Sequence, residues 1–115
     1  MKKKIICFDI DGVICKTLRG NYKNSKPIKK NIEVINSLDK DKYKIILYTA
    51  RFMGRTSNNK IKAENLAKNL TLKQLKKWNV KFDEVYFGKP SYDVVVDDKA
   101  IFFKKDWNKF LKKFR

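Results

Sequence analysis

The chain contains no histidine, and its only two cysteines, Cys7 and Cys15, are not spaced as a Cys-x-x-Cys pair. This scarcity argues against a zinc site and a disulfide framework, and it favours reduced thiols in a cytoplasmic protein. No stretch approaches the roughly 18 consecutive apolar residues of a membrane-spanning helix, so we expect no membrane segment. The apolar run behind the lysines at positions 2–4 stops at Asp9, which makes it too short for an export signal.

The sequence also has no internal repeat, no low-complexity tract and no linker. Its 115 residues are 43% hydrophobic and include eight Phe and two Trp. A chain of this length and composition can bury a core, whereas a disordered chain has few such residues. We therefore predict a single domain over residues 1–115.

Acidic residues are scarce: 12 Asp and Glu accompany 29 Lys and Arg, which gives a formal net charge of +17. Such a charge suggests nucleic acid or an anionic membrane as a partner. The lysines, however, are scattered along the whole chain among many Asn, Ile, Tyr and Phe residues, a combination typical of translated AT-rich genomes. We therefore interpret the charge mainly as a product of composition. We expect no membrane partner and only weak, non-specific binding of nucleic acid.

Apolar runs and helical spacing divide the chain into alternating strands and helices. Strands are predicted at 4–8, 43–48, 84–88 and 93–96, and helices at 28–38, 61–69, 71–79 and 107–114. Polar loops are predicted at 15–27 and 52–60. The second of two consecutive helices is predicted to begin at Thr71, because Thr71 to Gln74 has the form of a capping box. Strands that alternate with helices and are continuously apolar predict an α/β fold with a parallel central sheet.

The most informative segment is 5–13, in which an apolar strand ends in two carboxylates followed by glycine. Side chains on a strand alternate between faces, so Asp9 and Asp11 can share one face where the strand ends. Gly12 allows the backbone to turn sharply or to approach a ligand closely. Two acids beside exposed backbone donors can hold Mg²⁺ and a phosphoryl group, although a strand that ends in a polar turn would look similar.

Polar side chains follow each of the other predicted strands. Thr49 follows the second, Lys89 the third, and Asp97 and Asp98 the fourth. Because the ligand site of a parallel sheet lies beyond the carboxyl ends of its strands, we expect these side chains to converge on Asp9. Each also has an ordinary interpretation: Thr49 is a typical helix N-cap, Lys89 is one lysine among many, and the paired acids fit a solvated turn.

These four motifs, in this order, resemble the haloacid dehalogenase superfamily of phosphohydrolases over essentially the whole chain. Within that superfamily the chain is most similar to the small phosphatases of capsule and lipopolysaccharide biosynthesis. The stretches that carry the closer likeness are 48–51, 71–75, 78–84, 88–93 and 96–100. The resemblance implies a three-layer α/β/α, Rossmann-like domain.

The resemblance also implies a phosphomonoesterase that works through an aspartyl phosphate. Asp9 is then the nucleophile, and Asp11 is the acid and base that serves the leaving oxygen and the attacking water. Mg²⁺, held by Asp9, the main-chain carbonyl of Asp11 and Asp98, lets an anionic nucleophile approach an anionic phosphoryl group. Asp97 is implied either as a further metal ligand or as a partner that orients Lys89.

The phosphoryl oxygens are expected to lie against Gly12, Thr49 and Lys89, where charge spreads in the transition state. Arg51, two residues beyond Thr49, is a candidate substrate contact. A surface ion pair is an equally good interpretation of this arginine.

The intervals between successive motifs are filled by the predicted helices, loops and strand, so we expect no cap domain. Relatives without a cap act on large substrates or close the site with a neighbouring subunit, which makes a homo-oligomer one possibility. The loop at 52–60, which contains Arg55, is a candidate for a small lid.

The sequence therefore predicts a Mg²⁺-dependent phosphatase that acts on a small-molecule phosphate ester. The favoured substrate is a phosphorylated sugar or a related metabolite of surface-polysaccharide biosynthesis. Two alternatives stay open. One is a nucleotide or polynucleotide-end phosphatase, suggested by the charge and the missing cap. The other is a non-catalytic phosphate-binding or interaction module, which the complete set of motif residues disfavours.

Overall fold

The fold is described from a computed structural model, which describes residues 2–101 and Trp107. This part of the chain forms five strands and two α-helices. In chain order they are β1 (Lys4–Phe8), β2 (Cys15–Lys16), β3 (Lys26–Pro27), α1 (Lys29–Asn36), β4 (Tyr43–Tyr48), α2 (Lys60–Lys77) and β5 (Glu84–Tyr86). No helix in these residues is both long and apolar enough to cross a membrane.

The centre of the fold is a parallel sheet in the order β1-β4-β5. Ile6 lies opposite Ile45, and Leu47 lies opposite Val85. Ile45 and Leu47 on the middle strand are fully buried, as the apolar run of β4 predicts. The predicted α/β fold with a parallel central sheet is confirmed. No strand among residues 2–101 pairs with the outer edge of β1.

The two helices contribute apolar side chains to the same core as the sheet. On α1, Ile32 and Ile35 are buried at helical spacing, and Leu38 follows just beyond the helix. On α2, Ala63 and Ala67 are fully buried one turn apart. The core therefore joins the sheet to both helices and leaves the carboxyl ends of the strands to hold polar residues.

The predicted polar loop at 15–27 is closed at its base by a short hairpin. Cys15 pairs with Pro27 and Lys16 with Lys26 in an antiparallel arrangement. A further backbone bond from the Ile28 N–H to the Ile14 carbonyl measures 2.8 Å. These bonds hold both ends of the loop beside the end of β1.

The expected break before Thr71 is wrong, because α2 is one continuous helix of 18 residues. Thr71 does not cap a helix: its buried hydroxyl accepts a hydrogen bond from Nη1 of Arg51 at 3.2 Å. The helix is capped instead at Asn59, whose side chain accepts from the Lys62 N–H at 3.1 Å. The capping-box pattern at Thr71 therefore marks a polar side chain on the buried face of a helix interior.

The predicted strand at 93–96 is also wrong in this structure. Val94, Val95 and Val96 are all exposed and form no strand. Only seven residues, 87–93, lie between the end of β5 and Val94, whereas a parallel crossover takes about a dozen or more. The predicted tail helix at 107–114 lies outside the described residues except for Trp107, which is buried and meets the Phe8 ring edge-on at 6.3 Å.

Truncating the middle strand should test this core. We expect Ile45→Ala to lower the free energy of unfolding by about 2–5 kcal/mol, because it leaves a cavity at a fully buried position. The matched variant Ile61→Ala removes the same atoms from a side chain that is 75% exposed, and it should change stability by less than about 0.5 kcal/mol. Chemical denaturation of both variants measures the difference, and equal effects would contradict the core assignment.

Candidate active site

The end of β1 turns sharply and places two carboxylates on the surface of the core. Ile10 is fully buried between them, and its carbonyl accepts from the Ile14 N–H at 2.8 Å. Gly12 has φ +93° and donates its N–H to the Cys15 carbonyl at 2.8 Å. The residue therefore serves the turn, and its N–H is already used. Open space lies beside its Cα, so the backbone is accessible there.

Asp9 is half-buried, and its negative charge is only partly balanced by neighbouring groups. Its Oδ1 accepts from the Ile10 N–H at 2.8 Å, and its Oδ2 lies 3.7 Å from Nζ of Lys89. Burial raises the pKa of Asp9, and the nearby Asp11 raises it further. Lys89 and the Ile10 N–H lower it, but they do not fully offset the rise. A carboxylate with this deficit of positive charge suits a cation or a phosphoryl group held by cations.

Lys89 reaches Asp9 from the loop that follows β5. Gly88 has φ +86°, and the Lys89 N–H donates to the Thr49 carbonyl at 3.1 Å, which fixes the loop against the end of β4. The ammonium group also lies 5.6 Å from the centre of the Tyr92 ring. Burial opposes the charged form, but Asp9 and Tyr92 outweigh it and raise the pKa of Lys89. Lys89 is therefore held as a cation beside Asp9.

Thr49 lies at the end of β4 and is fully buried. Its Oγ1 accepts from the Arg51 N–H at 3.1 Å, as in a capping turn. Its N–H donates to the Tyr86 carbonyl at 3.0 Å. The hydroxyl thus closes a turn, but no helix begins at Thr49, so the N-cap interpretation is wrong. The Thr49 carbonyl accepts from the Lys89 N–H.

Arg51 lies inside the protein, because only 1% of its surface is exposed. Its guanidinium group forms an ion pair with Asp11, with Nε 3.0 Å from Oδ2. The sequence left a substrate contact and a surface ion pair as alternatives for this residue. The structure places Arg51 in an ion pair, but a buried one.

Asp97 and Asp98 are exposed, and neither joins Asp9 and Asp11 in a group of ligands within the described residues. Within residues 2–101 and 107, no three carboxylate or thiol side chains lie close enough together to hold a metal ion. Asp9 fits a Mg²⁺ ligand, because it supplies hard carboxylate oxygens whose negative charge is not fully balanced by its neighbours. The predicted set of ligands is otherwise incomplete here, since the segment that carries Asp98 lies open to solvent.

Four polar side chains around the ion pair were not predicted from the sequence. Thr17 donates to Oδ1 of Asp11 at 2.6 Å, and its hydroxyl also lies 2.6 Å from that of Ser25. Thr71 and Gln74 contact the far side of Arg51. Thr71 and Gln74 could have been found from the sequence, because they continue the helical spacing of the buried residues of α2.

No protein-family model matches the chain, and no curated protein matches it either. Among solved structures, a protein from Vibrio cholerae superposes with a TM-score of 0.78 at 23% identity, over 97% of this chain and 99% of that one. The mixed α/β fold with its parallel central sheet is compatible with the cap-less, Rossmann-like fold of haloacid dehalogenase proteins. At this identity the likeness shows the fold alone.

Two further neighbours share the fold over part of their length. One is a chain of the Pnkp1/Rnl/Hen1 complex, with a TM-score of 0.55 at 18% identity over 95% of this chain and 33% of that one. The other is the D,D-heptose 1,7-bisphosphate phosphatase of B. bronchiseptica, crystallised with magnesium and phosphate. It has a TM-score of 0.50 at 16% identity over 85% of this chain and 54% of that one. Residues 2–101 contain no cap domain.

Proposed function

We propose that this protein is a phosphomonoesterase that uses Mg²⁺ and forms an aspartyl phosphate at Asp9. The observation that carries the proposal is the setting of Asp9. This carboxylate lies at the carboxyl end of the first strand, half-buried, beside Lys89 at 3.7 Å and close to Asp11. Such a carboxylate is shielded from bulk water but still open to a ligand, as a nucleophile must be.

The reaction has two displacements at phosphorus. In the first, a carboxylate oxygen of Asp9 bonds to phosphorus, the ester P–O bond breaks, and the leaving oxygen takes a proton from Asp11. In the second, water attacks the phosphorus of the phosphoryl-aspartate and gives a proton to Asp11, the P–O bond to Asp9 breaks, and inorganic phosphate is released. Both residues return to their starting state.

Lys89 and Thr49 are proposed to contact the phosphoryl oxygens. The Lys89 cation is already fixed beside Asp9, so it needs no rearrangement to balance charge in the transition state. The Thr49 hydroxyl keeps a proton to donate, since its oxygen accepts the Arg51 N–H. Gly12 is proposed to leave room for the substrate, because its own N–H is used in the turn.

Mg²⁺ would be held by Asp9, the main-chain carbonyl of Asp11 and Asp98, with Asp97 as the alternative to Asp98. When bound, the ion supplies positive charge between the two anionic reactants. Asp97 and Asp98 are included because they are adjacent exposed carboxylates that follow a β-branched run, and carboxylate oxygens suit a hard cation.

The proposed substrate is a phosphorylated sugar or a related metabolite of surface-polysaccharide biosynthesis, and the proposed location is the cytoplasm. One fold neighbour is a heptose bisphosphate phosphatase, which supports the choice of substrate class. A polynucleotide-end phosphatase is the second candidate, because another neighbour belongs to an RNA repair complex and the net charge is +17. A homo-oligomer that covers the site remains part of the proposal.

Release of inorganic phosphate from a panel of esters tests the proposed activity. The purified protein should hydrolyse at least one sugar phosphate, nucleotide or p-nitrophenyl phosphate in the presence of Mg²⁺. The panel should span sugar 1-phosphates, terminal sugar phosphates, bisphosphates and nucleotides. No hydrolysis of any member by a folded protein would refute the phosphatase and favour a binding module.

A direct comparison separates the two substrate classes. We expect kcat/KM for the best sugar phosphate to exceed that for a 3′- or 5′-phosphorylated oligonucleotide by at least about tenfold, or roughly 1.4 kcal/mol of transition-state discrimination. The physical reason is that a charge scattered over the surface gives only salt-sensitive, non-specific attraction to a polyanion. The measurement belongs near physiological salt, where such attraction is screened. A more efficiently hydrolysed oligonucleotide would promote the second candidate.

A further inference from the structure

The guanidinium group of Arg51 has no free N–H for a substrate. Its Nε and Nη2 each lie 3.0 Å from the Asp11 carboxylate. Its Nη1 donates to Thr71 Oγ1 at 3.2 Å and to Gln74 Oε1 at 2.5 Å. The second proton of Nη2 is directed to Cys15 Sγ, at 3.5 Å. All five donors of the fork therefore have partners in the protein.

The contacts of Asp11 are unequal between its two oxygens. Oδ1 accepts from Arg51 and from the Thr17 hydroxyl, with Cys15 also in reach at 3.5 Å. Oδ2 accepts only from Nε of Arg51 among the described hydrogen bonds. Oδ2 thus keeps one lone pair, and the Asp11 side chain is 25% exposed. This oxygen is the one still open to a further hydrogen bond.

We propose that Arg51 is a positioning residue that fixes Asp11 so that Oδ2 faces the reacting atoms, rather than a residue that binds substrate. The inference rests on the proposed phosphatase function. Arg51 donates hydrogen bonds to the Asp11 carboxylate, and Thr71 and Gln74 of α2 accept hydrogen bonds from Arg51. The orientation of the proton-transfer group at the end of β1 is therefore set by a helix elsewhere in the fold.

Lysine cannot replace Arg51 in this arrangement. A single ammonium group lacks the planar fork that spans both carboxylate oxygens and two acceptors on α2. We therefore expect Arg51→Lys to lower kcat for p-nitrophenyl phosphate about 10- to 100-fold, because small misplacement of a catalytic group has effects of that size. KM should stay within about twofold, since no substrate contact is lost. Arg19→Lys, at an exposed arginine, is the matched control and should leave both constants unchanged.

Two further experiments distinguish a positioning role of Arg51 from a general loss of stability. In an Asp11→Asn background, Arg51→Lys should cause no further loss of kcat beyond about twofold, because the group that it positions no longer transfers protons. Thr71→Val should lower kcat with KM unchanged, whereas Thr71→Ser, which keeps the hydroxyl, should restore it. The Thr71 pair keeps the test decisive if Arg51→Lys fails to fold.

The possible outcomes distinguish this inference from the function on which it rests. A wild-type protein that hydrolyses no ester refutes the proposed function and the inference together. An active wild type in which Arg51→Lys raises KM tenfold at unchanged kcat refutes the inference alone and makes Arg51 a substrate ligand. Equal losses in the wild-type and Asp11→Asn backgrounds would also refute it, as would a Thr71→Val variant with unchanged kcat.

Discussion

Asp9→Asn is expected to abolish phosphate release, with a loss of at least about a thousandfold in kcat, because an amide does not attack phosphorus. The fold should survive, since the two side chains have nearly the same shape. Phosphate release from the best ester measures the loss, and circular dichroism and thermal unfolding monitor the fold. Asp41→Asn, the same change at an exposed aspartate, should leave kcat unchanged.

The companion variant Asp11→Asn tests the covalent step more directly. Without the base that activates water, hydrolysis of the intermediate should slow, and protein that carries one phosphoryl group should accumulate. Intact-mass spectrometry after mixing with substrate detects that species, which should be missing in Asp9→Asn. If Asp9→Asn keeps near wild-type turnover, with contaminating phosphatase excluded by parallel purification, the covalent mechanism at Asp9 is wrong.

Removal of divalent metal is expected to have an effect of similar size. Excess chelator should reduce turnover to background, and added Mg²⁺ should restore it, because oxygen ligands suit a hard cation that keeps several waters. Asp98→Ala should shift the Mg²⁺ concentration needed for half-maximal activity upward by about tenfold or more, as the loss of a charged ligand predicts.

The control for the metal prediction lies in the same exposed segment. Asp93→Ala removes a carboxylate of the same type, five residues earlier, that no part of the proposal uses. It should leave the Mg²⁺ requirement unchanged. Full activity in excess chelator would remove the metal from the proposal, and identical behaviour of the two variants would leave Asp97 and Asp98 as a solvated turn.

The central sheet could be predicted from the sequence because its strands are short apolar runs with clear ends. The bounds of β1 and β4 agree with the predicted 4–8 and 43–48, because the apolar runs coincide with the residues that pair, although Ile5 and Cys7 on β1 are exposed. The run at 94–96 has the same character but forms no strand here. Whether a β-branched run pairs depends on a connection of the right length, which periodicity does not report.

The position of Asp9 and Lys89 beside one another followed from a rule of topology, since both come after parallel strands. The environment of Arg51 did not, because its partners come from three separate stretches of the chain. Asp11 follows β1, Ser25 lies in a loop, and Thr71 resembled the start of a helix. A buried arginine requires such partners, but only the folded chain shows which polar residues supply them.

The outer edge of β1 pairs with no strand among residues 2–101, which has a consequence for how the protein behaves at high concentration. An open strand edge can pair with the same edge of a second molecule and so begin aggregation. In this chain the strand starts in a run of three exposed lysines, Lys2 to Lys4. Two such edges brought together would repel, but that repulsion weakens as salt shortens the Debye length to about 3 Å at 1 M. Concentrated stocks should therefore stay monodisperse longest at low ionic strength.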